Sequence, residues 1–141
     1  KEKMGRVFFN TRKNIHNVSA AYAGLASDSG KTFMINQAAA YAITLPAPAD
    51  AQEGWHADFI LGTVASNAVT ITCTGTDLFH GIGLDGEDGA AQTVTEGTGI
   101  DVITFISGAT KGDRCHITCD GTSYYVLSVA ADKAHITYAA E

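Results

Sequence analysis

Apolar side chains return at every second position along much of this chain, in short runs ended by glycine, aspartate or asparagine. In "WHADFIL" (residues 55–61), Trp55, Ala57, Phe59 and Leu61 alternate with His56, Asp58 and Ile60. A period of two puts one set on a single face of a strand, whereas a helix would bring apolar residues back every third or fourth position. "AVTITC" places Val69, Ile71 and Cys73 together, and "IDVITFIS" alternates Val102, Thr104 and Ile106 with Ile103 and Phe105. "KTFMIN" and "YAITL", separated by "QAAA", predict a first hairpin, with Phe33 and Ile35 on one strand and Tyr41, Ile43 and Leu45 on the other. "RCHITCDGTSYYVLSV" predicts a second hairpin, turning at Asp120-Gly121, in which Cys115, Ile117 and Cys119 share a face, as do Tyr125, Leu127 and Val129. A last strand is expected around "AHITYA", from His135 to Tyr138. The fold class that follows is all-β: an antiparallel β-sandwich or a jelly-roll-like barrel.

Two prolines, Pro46 and Pro48, close the "YAITL" strand, because proline offers no N–H to a ladder. Gly54 lets the chain re-enter a strand, so the intervening stretch predicts a crossover with an exposed loop. The 141 residues suit one domain, and a chain of this size buries roughly 68–70% of its unfolded surface. Residues 1–30 show little periodicity and predict an extended N-terminal arm, with "VSAAYAGL" a weak helix candidate, ahead of a sandwich body at residues 31–141.

Charge separates the two parts. Residues 1–13 carry +4 through Lys1, Lys3, Arg6, Arg12 and Lys13 against Glu2, while the remainder carries −10. A cationic arm seeks a negative surface: nucleic acid, an acidic neighbour, or its own body. Nucleic acid is the poorest of these, since an acidic body is repelled by phosphate. Charged residues make up only 17% of the chain, which points to surface covered by a partner. No run reaches the ~20 apolar residues of a membrane-spanning helix, and "KEKMGRVFF" lacks a signal peptide's apolar stretch, so a soluble protein without a membrane partner is expected.

The motifs that suggest chemistry fail on context. "GIGLDG" places Gly81, Gly83 and Gly86 at dinucleotide-fingerprint spacing, but no helix is expected after Gly86 to receive a pyrophosphate. The expectation is a glycine-rich, acidic surface loop from His80 to Gly89. Asp85, Glu87 and Asp88 in it lack the ligand spacing of a calcium loop. His16, His56, His80, His116 and His135 are scattered, and Cys115, His116 and Cys119 point to opposite faces of a strand, so no metal is expected. Without a G-x-S-x-G elbow or a defined carboxylate pair, no catalytic residue, enzyme activity or cofactor is expected. Cys115 and Cys119 lie ~13 Å apart along a strand and cannot pair. Cys73 could reach either of them, although buried thiols in a reducing compartment are the simpler expectation. Of the aromatics Trp55, Tyr124 and Tyr125, the first and last fall on faces expected in the core.

In order along residues 31–129, "YAITLPAPADAQEGWHADFI", "NAVTITCTGTDLFHG" and "ITFISGATKGDRCHITCDGTSYYVL" resemble the small β-sandwich modules of tailed bacteriophages: capsid decoration (cement) proteins and related tail-fibre modules. The shared features are a strand ending in Leu-Pro, a V-T-I-T strand leading to G-x-D, and a late G-D-R, strand, D-G-T, aromatic-aromatic ending. Tyr124-Tyr125 stands where such modules often carry tryptophan. The resemblance implies a non-enzymatic structural protein on the outer capsid surface of a virion, made in the host cytoplasm. It would be a homotrimer contacting itself and the major capsid protein, and bridging neighbouring capsomers. The arm suits that role, with Lys3, Arg6, Arg12 and Lys13 meeting acidic neighbours and Phe8 and Phe9 filling pockets. The alternative is a tail-fibre or receptor-binding module whose loops near Trp55, His80–Gly89 and Tyr124 face a host glycan.

Overall fold

The first seven strands of the described chain alternate between two layers. The computed structural model describes residues 14–64, 66–75, 78–86 and 94–140, with 94–98 as backbone only. One sheet has seven strands: β1 (Asn14–Val18), β3 (Lys31–Asn36), β5 (Glu53–Thr63), β7 (Phe79–Asp85), β8 (Val94–Ile100), β10 (Arg114–Asp120) and β11 (Tyr124–Ala130). Their spatial order is β1-β3-β5-β10-β11-β7-β8. The second sheet holds β2 (Tyr22–Ala23), β4 (Tyr41–Leu45), β6 (Val69–Cys73), β9 (Val102–Phe105) and β12 (Ile136–Ala139), in the order β12-β9-β6-β4-β2.

Up to β6 each strand crosses to the opposite layer, so that β1, β3 and β5 run parallel in one sheet and β2, β4 and β6 run parallel in the other. The β10–β11 hairpin then pairs antiparallel with β5 and presents β11 to a parallel β7. The all-β sandwich stands as expected, built from mixed rather than purely antiparallel sheets.

Between the layers lie Phe33, Phe59, Trp55, Tyr124, Phe79 and Phe105, all fully buried. Phe33 stacks on Phe59 at 4.9 Å between ring centroids, and Trp55 meets Tyr124 edge-on at 5.7 Å, geometries that aromatic pairs favour. Trp55 Nε1 donates to the Leu25 carbonyl, and Tyr124 Oη donates to that of Pro46. The inward set expected in "WHADFIL" is the observed one.

The expected first hairpin does not form, since β3 and β4 lie in different sheets. Gln37 sits fully buried where the chain turns from one layer to the other. Its Nε2 donates to the carbonyls of Phe105 and Ile106, and its backbone N–H donates to the Thr63 carbonyl. The Leu-Pro stretch is indeed a crossover, from the five-stranded to the seven-stranded sheet, through the single helical turn α1 (Pro48–Ala51). The segment expected as an arm carries the strands β1 and β2 within residues 14–30, and "VSAAYAGL" contains β2 rather than helix. Most of the expected loop after His80 is strand β7, which the alternation of glycine with Ile82 and Leu84 concealed.

Candidate functional site

The outer face of a sandwich sheet meets water, so its strands ordinarily alternate apolar-in with polar-out. Strand β10 follows that rule: Cys115, Ile117 and Cys119 are buried, and Arg114, His116 and Thr118 face outward. Strand β11 breaks it. Tyr124, Val126, Ser128 and Ala130 point inward, leaving Tyr125, Leu127 and Val129 outside. Strand β7 adds Ile82 and Leu84 to the same outer face. Tyr125 is 51% exposed, Leu127 43%, Val129 42%, Leu84 41% and Ile82 40%, so β11 and β7 together present a continuous apolar patch to solvent.

Register continues the patch across the sheet. One row runs Thr32, Asp58, His116, Leu127, Ile82, and the next runs Met34, Ile60, Arg114, Val129, Leu84. A groove lined by Asp58, Ile60, Arg114, His116, Leu127 and Val129 lies over the middle of these rows. The expectation that Tyr125 lies in the core is corrected. Both faces of β11 are rich in apolar residues, and parity alone cannot say which face is the inner one. The signal that decides it is Tyr124, whose hydroxyl finds a buried acceptor at Pro46.

Glycine at position 81 holds β7 against β11. A Cβ there would fall 2.0 Å from the Val126 carbonyl oxygen, which no side chain tolerates. Gly81 and Gly83 therefore serve strand packing, and the first five positions of the dinucleotide fingerprint lie inside strand β7 rather than at the end of one.

The polar groups on the face form a short chain. His116 Nδ1 donates to Asp58 Oδ1 at 2.8 Å, and the Thr118 hydroxyl lies 3.1 Å from His116 Nε2. The His56 ring stands 6.2 Å from that of His116. The connectivity is that of a carboxylate, a base and a hydroxyl nucleophile. Acyl transfer also needs N–H donors aimed at a developing oxyanion. β10 is an interior strand whose backbone is hydrogen-bonded to β5 on one side and β11 on the other, so its amides are spent on the ladders. What the trio does supply is a fixed polar centre within an apolar field.

At the end of β10, Asp120 accepts hydrogen bonds from the N–H groups of Ser123 and Thr122 and from the Tyr125 hydroxyl. The two backbone bonds hold its carboxyl below the usual range, and the carboxylate in turn raises the Tyr125 phenol. The turn therefore has Gly121 alone at positive φ, 89°, and Asp120 acts through its side chain.

The other expected sites fare differently. Lys3, Arg6, Phe8, Phe9, Arg12 and Lys13 lie outside the described residues, whose first element, β1, is an edge strand of the seven-stranded sheet. Of the acidic loop, Asp85 is buried at the end of β7, while Glu87 and Asp88 also lie outside the described residues. Among the described residues no three His, Cys, Asp or Glu side chains gather as metal ligands. Cys73, Cys115 and Cys119 are free thiols.

Fold and face together define a two-layer all-β sandwich with one apolar outer sheet surface. Comparison with protein-family models, with curated proteins and with solved structures gives no match.

Proposed function

We propose that this chain is a structural virion protein, one that decorates and stabilises a bacteriophage capsid by bridging neighbouring capsomers as a homotrimer. The observation that carries the reading is the outer face of the seven-stranded sheet, where Leu127, Val129, Ile82 and Leu84 stay exposed. Apolar patches of several hundred Å2 mark surfaces that partners cover. The ordered resemblance of residues 31–129 to decoration modules supplies the kind of partner. The cationic segment at residues 1–13 supplies a second grip, on the shell or on a neighbouring copy. A ligand that binds the assembled shell and not its separated parts stabilises the shell by mass action, and repetition over many sites multiplies a modest contact.

Purified shells lacking this protein, incubated with it and pelleted, test the reading directly: saturable occupancy and a raised shell-disruption temperature are expected. Protein lacking residues 1–13 is expected to stay folded and lose most of its occupancy. Occupancy is also expected to fall as salt rises, because exposed charges are screened beyond ~8 Å at physiological ionic strength. No occupancy at any concentration would refute the reading.

One observation favours a second reading, a tail-fibre module that recognises a host glycan. Tyr125 is exposed beside His80, with ring centroids 6.1 Å apart, and an open aromatic face can stack on a sugar. The Trp55 and Tyr124 side chains are buried, so in this reading stacking on a sugar falls to Tyr125. Binding to a glycan array that is lost in Tyr125→Ala would favour this reading over decoration.

A further inference from the structure

We infer that the outer face of the seven-stranded sheet is where a second copy of this chain docks. The inference rests on the assembly reading above and assigns the surface through which the copies meet.

Size comes first. From β1 to β7, six neighbouring strands present outward residues in about three rows; at ~4.8 Å between strands and ~6.8 Å between rows, this is on the order of 600 Å2 of sheet. A stable interface covers about 800 Å2 on each partner, so the face matches a whole subunit contact rather than a small-molecule site. Its apolar residues are also spread over several strands, from Ile60 on β5 through Leu127 and Val129 on β11 to Ile82 and Leu84 on β7. That spread suits a broad, flat partner better than a single inserted peptide.

Charge then selects the partner. The chain outside residues 1–13 carries −10, and two copies meeting on most of that surface would repel. On strands β3, β5, β10, β11 and β7 of this face, however, the formal charges near the apolar rows are Asp58 and Arg114, one of each sign, with Asp120 at the far end of β10, and register sets Glu96 of β8 beside Ile82 at the margin of the patch. Asp58 is engaged by His116. The face is thus a nearly neutral window on an acidic body, a place where two acidic bodies approach without opposing charge. A strongly charged partner would find few groups there to pair with, Arg114 and Asp120 being the exposed ones.

Leu127 and Val129 are exposed, so charge can be introduced there without disturbing the core. Light scattering on the full-length chain at tens of µM tests the inference, comparing wild type with Leu127→Lys/Val129→Lys. A control is Leu25→Lys, a leucine that is 58% exposed and lies outside both sheets. Wild type and control are expected to be oligomers of the same mass. The double variant is expected to fall to the monomer mass with an unchanged far-ultraviolet spectrum. A monomeric wild type, as when residues 1–13 of the same chain cover the face, overturns the inference, as does a double variant with wild-type mass. Shell occupancy, measured separately, keeps the two ideas apart. A monomeric wild type that still binds shells sinks the docking face alone, and an oligomer that dissociates as expected but never binds shells sinks the decoration reading alone.

Discussion

Two single positions show how tightly backbone conformation and strand contact are specified. Gln52, between α1 and β5, has φ 70° and ψ 166°, a region that residues with a Cβ rarely adopt. Its N–H donates to Pro48 and its carbonyl accepts from Trp55, so both sides of the crossover hold it there. Strain of this kind costs of order 1–3 kcal/mol, and glycine relieves it while giving back roughly 0.5–1 kcal/mol of chain entropy. Gln52→Gly is therefore expected to stabilise the protein by about 1 kcal/mol in urea unfolding; a loss of stability would mean that the side chain contributes more than the conformation costs. Gly81 has the opposite logic. A methyl group there meets backbone at 2.0 Å, whereas at Gly83 it would meet the Ser128 and Tyr138 hydroxyls at 3.0 and 3.2 Å, which can shift. Gly83→Ala is expected to cost about 1–3 kcal/mol. Gly81→Ala should cost more, beyond about 4 kcal/mol, or abolish soluble expression. Equal costs at the two sites would disprove the close β7–β11 contact.

At the scale of elements, the connection from β2 to β3 is held by a buried carboxylate. Asp28 accepts hydrogen bonds from the Tyr22 hydroxyl at 2.9 Å, the Leu25 N–H at 2.8 Å and the Lys31 ammonium at 2.6 Å. Burial by itself would raise its pKa, but the bonds from Lys31, Leu25 and Tyr22 outweigh burial and hold it below the usual aspartate value. A carboxyl whose folded pKa is depressed contributes stability above its unfolded pKa, about 3.9, and that contribution disappears as pH falls through the folded value. Unfolding free energy should accordingly decline below about pH 4, and Asp28→Asn should be less stable at pH 7 by about 1–3 kcal/mol with a shallower acid limb. An acid limb identical to wild type would remove Asp28 from the account. The same elements show what a linear sequence withholds. Alternation in "KTFMIN" and "YAITL" identified strands and their inner faces, yet two strands with buried faces can be hairpin partners or opposite layers. The difference lies in Gln37, whose buried Nε2 donates to the carbonyls of residues 105 and 106 in the opposite layer. Strand β8, with glycine and threonine at its centre, and β1, a largely exposed edge strand, carry too little alternation to announce themselves. The apolar outer face was written in Leu127 and Val129 but indistinguishable from core until β11 was placed in its sheet.

The whole molecule has its mechanical centre in β10, the middle strand of the seven-stranded sheet, and two of the three thiols are on it. Burial raises the Cys115 and Cys119 thiols, and it pushes Cys73 up to about 11, with Asp101 and Cys119 adding to the shift. Only the thiolate reacts with an alkylating or disulfide reagent, so at pH 8 even the half-buried Cys73 should react roughly 100-fold more slowly than an ordinary cysteine of pKa about 8.5. Cys115 is more constrained: its thiol lies between the layers on an interior strand whose neighbours β5 and β11 are themselves interior, so reagent reaches it only when the layers part or the sheet opens at its centre. No edge strand of the seven-stranded sheet can expose it by fraying. Its labelling should therefore require global unfolding, while Cys73, already partly exposed at the end of β6, can be reached through smaller openings. Mass spectrometry of labelled peptides should find Cys73 modified first. The opening free energy derived from Cys115 should equal the value from urea unfolding within about 1 kcal/mol and fall with urea along the same slope. Cys115 labelling as fast as Cys73, at a rate indifferent to urea, would mean that the seven-stranded sheet opens locally at its centre and that the two layers do not unfold as one cooperative unit.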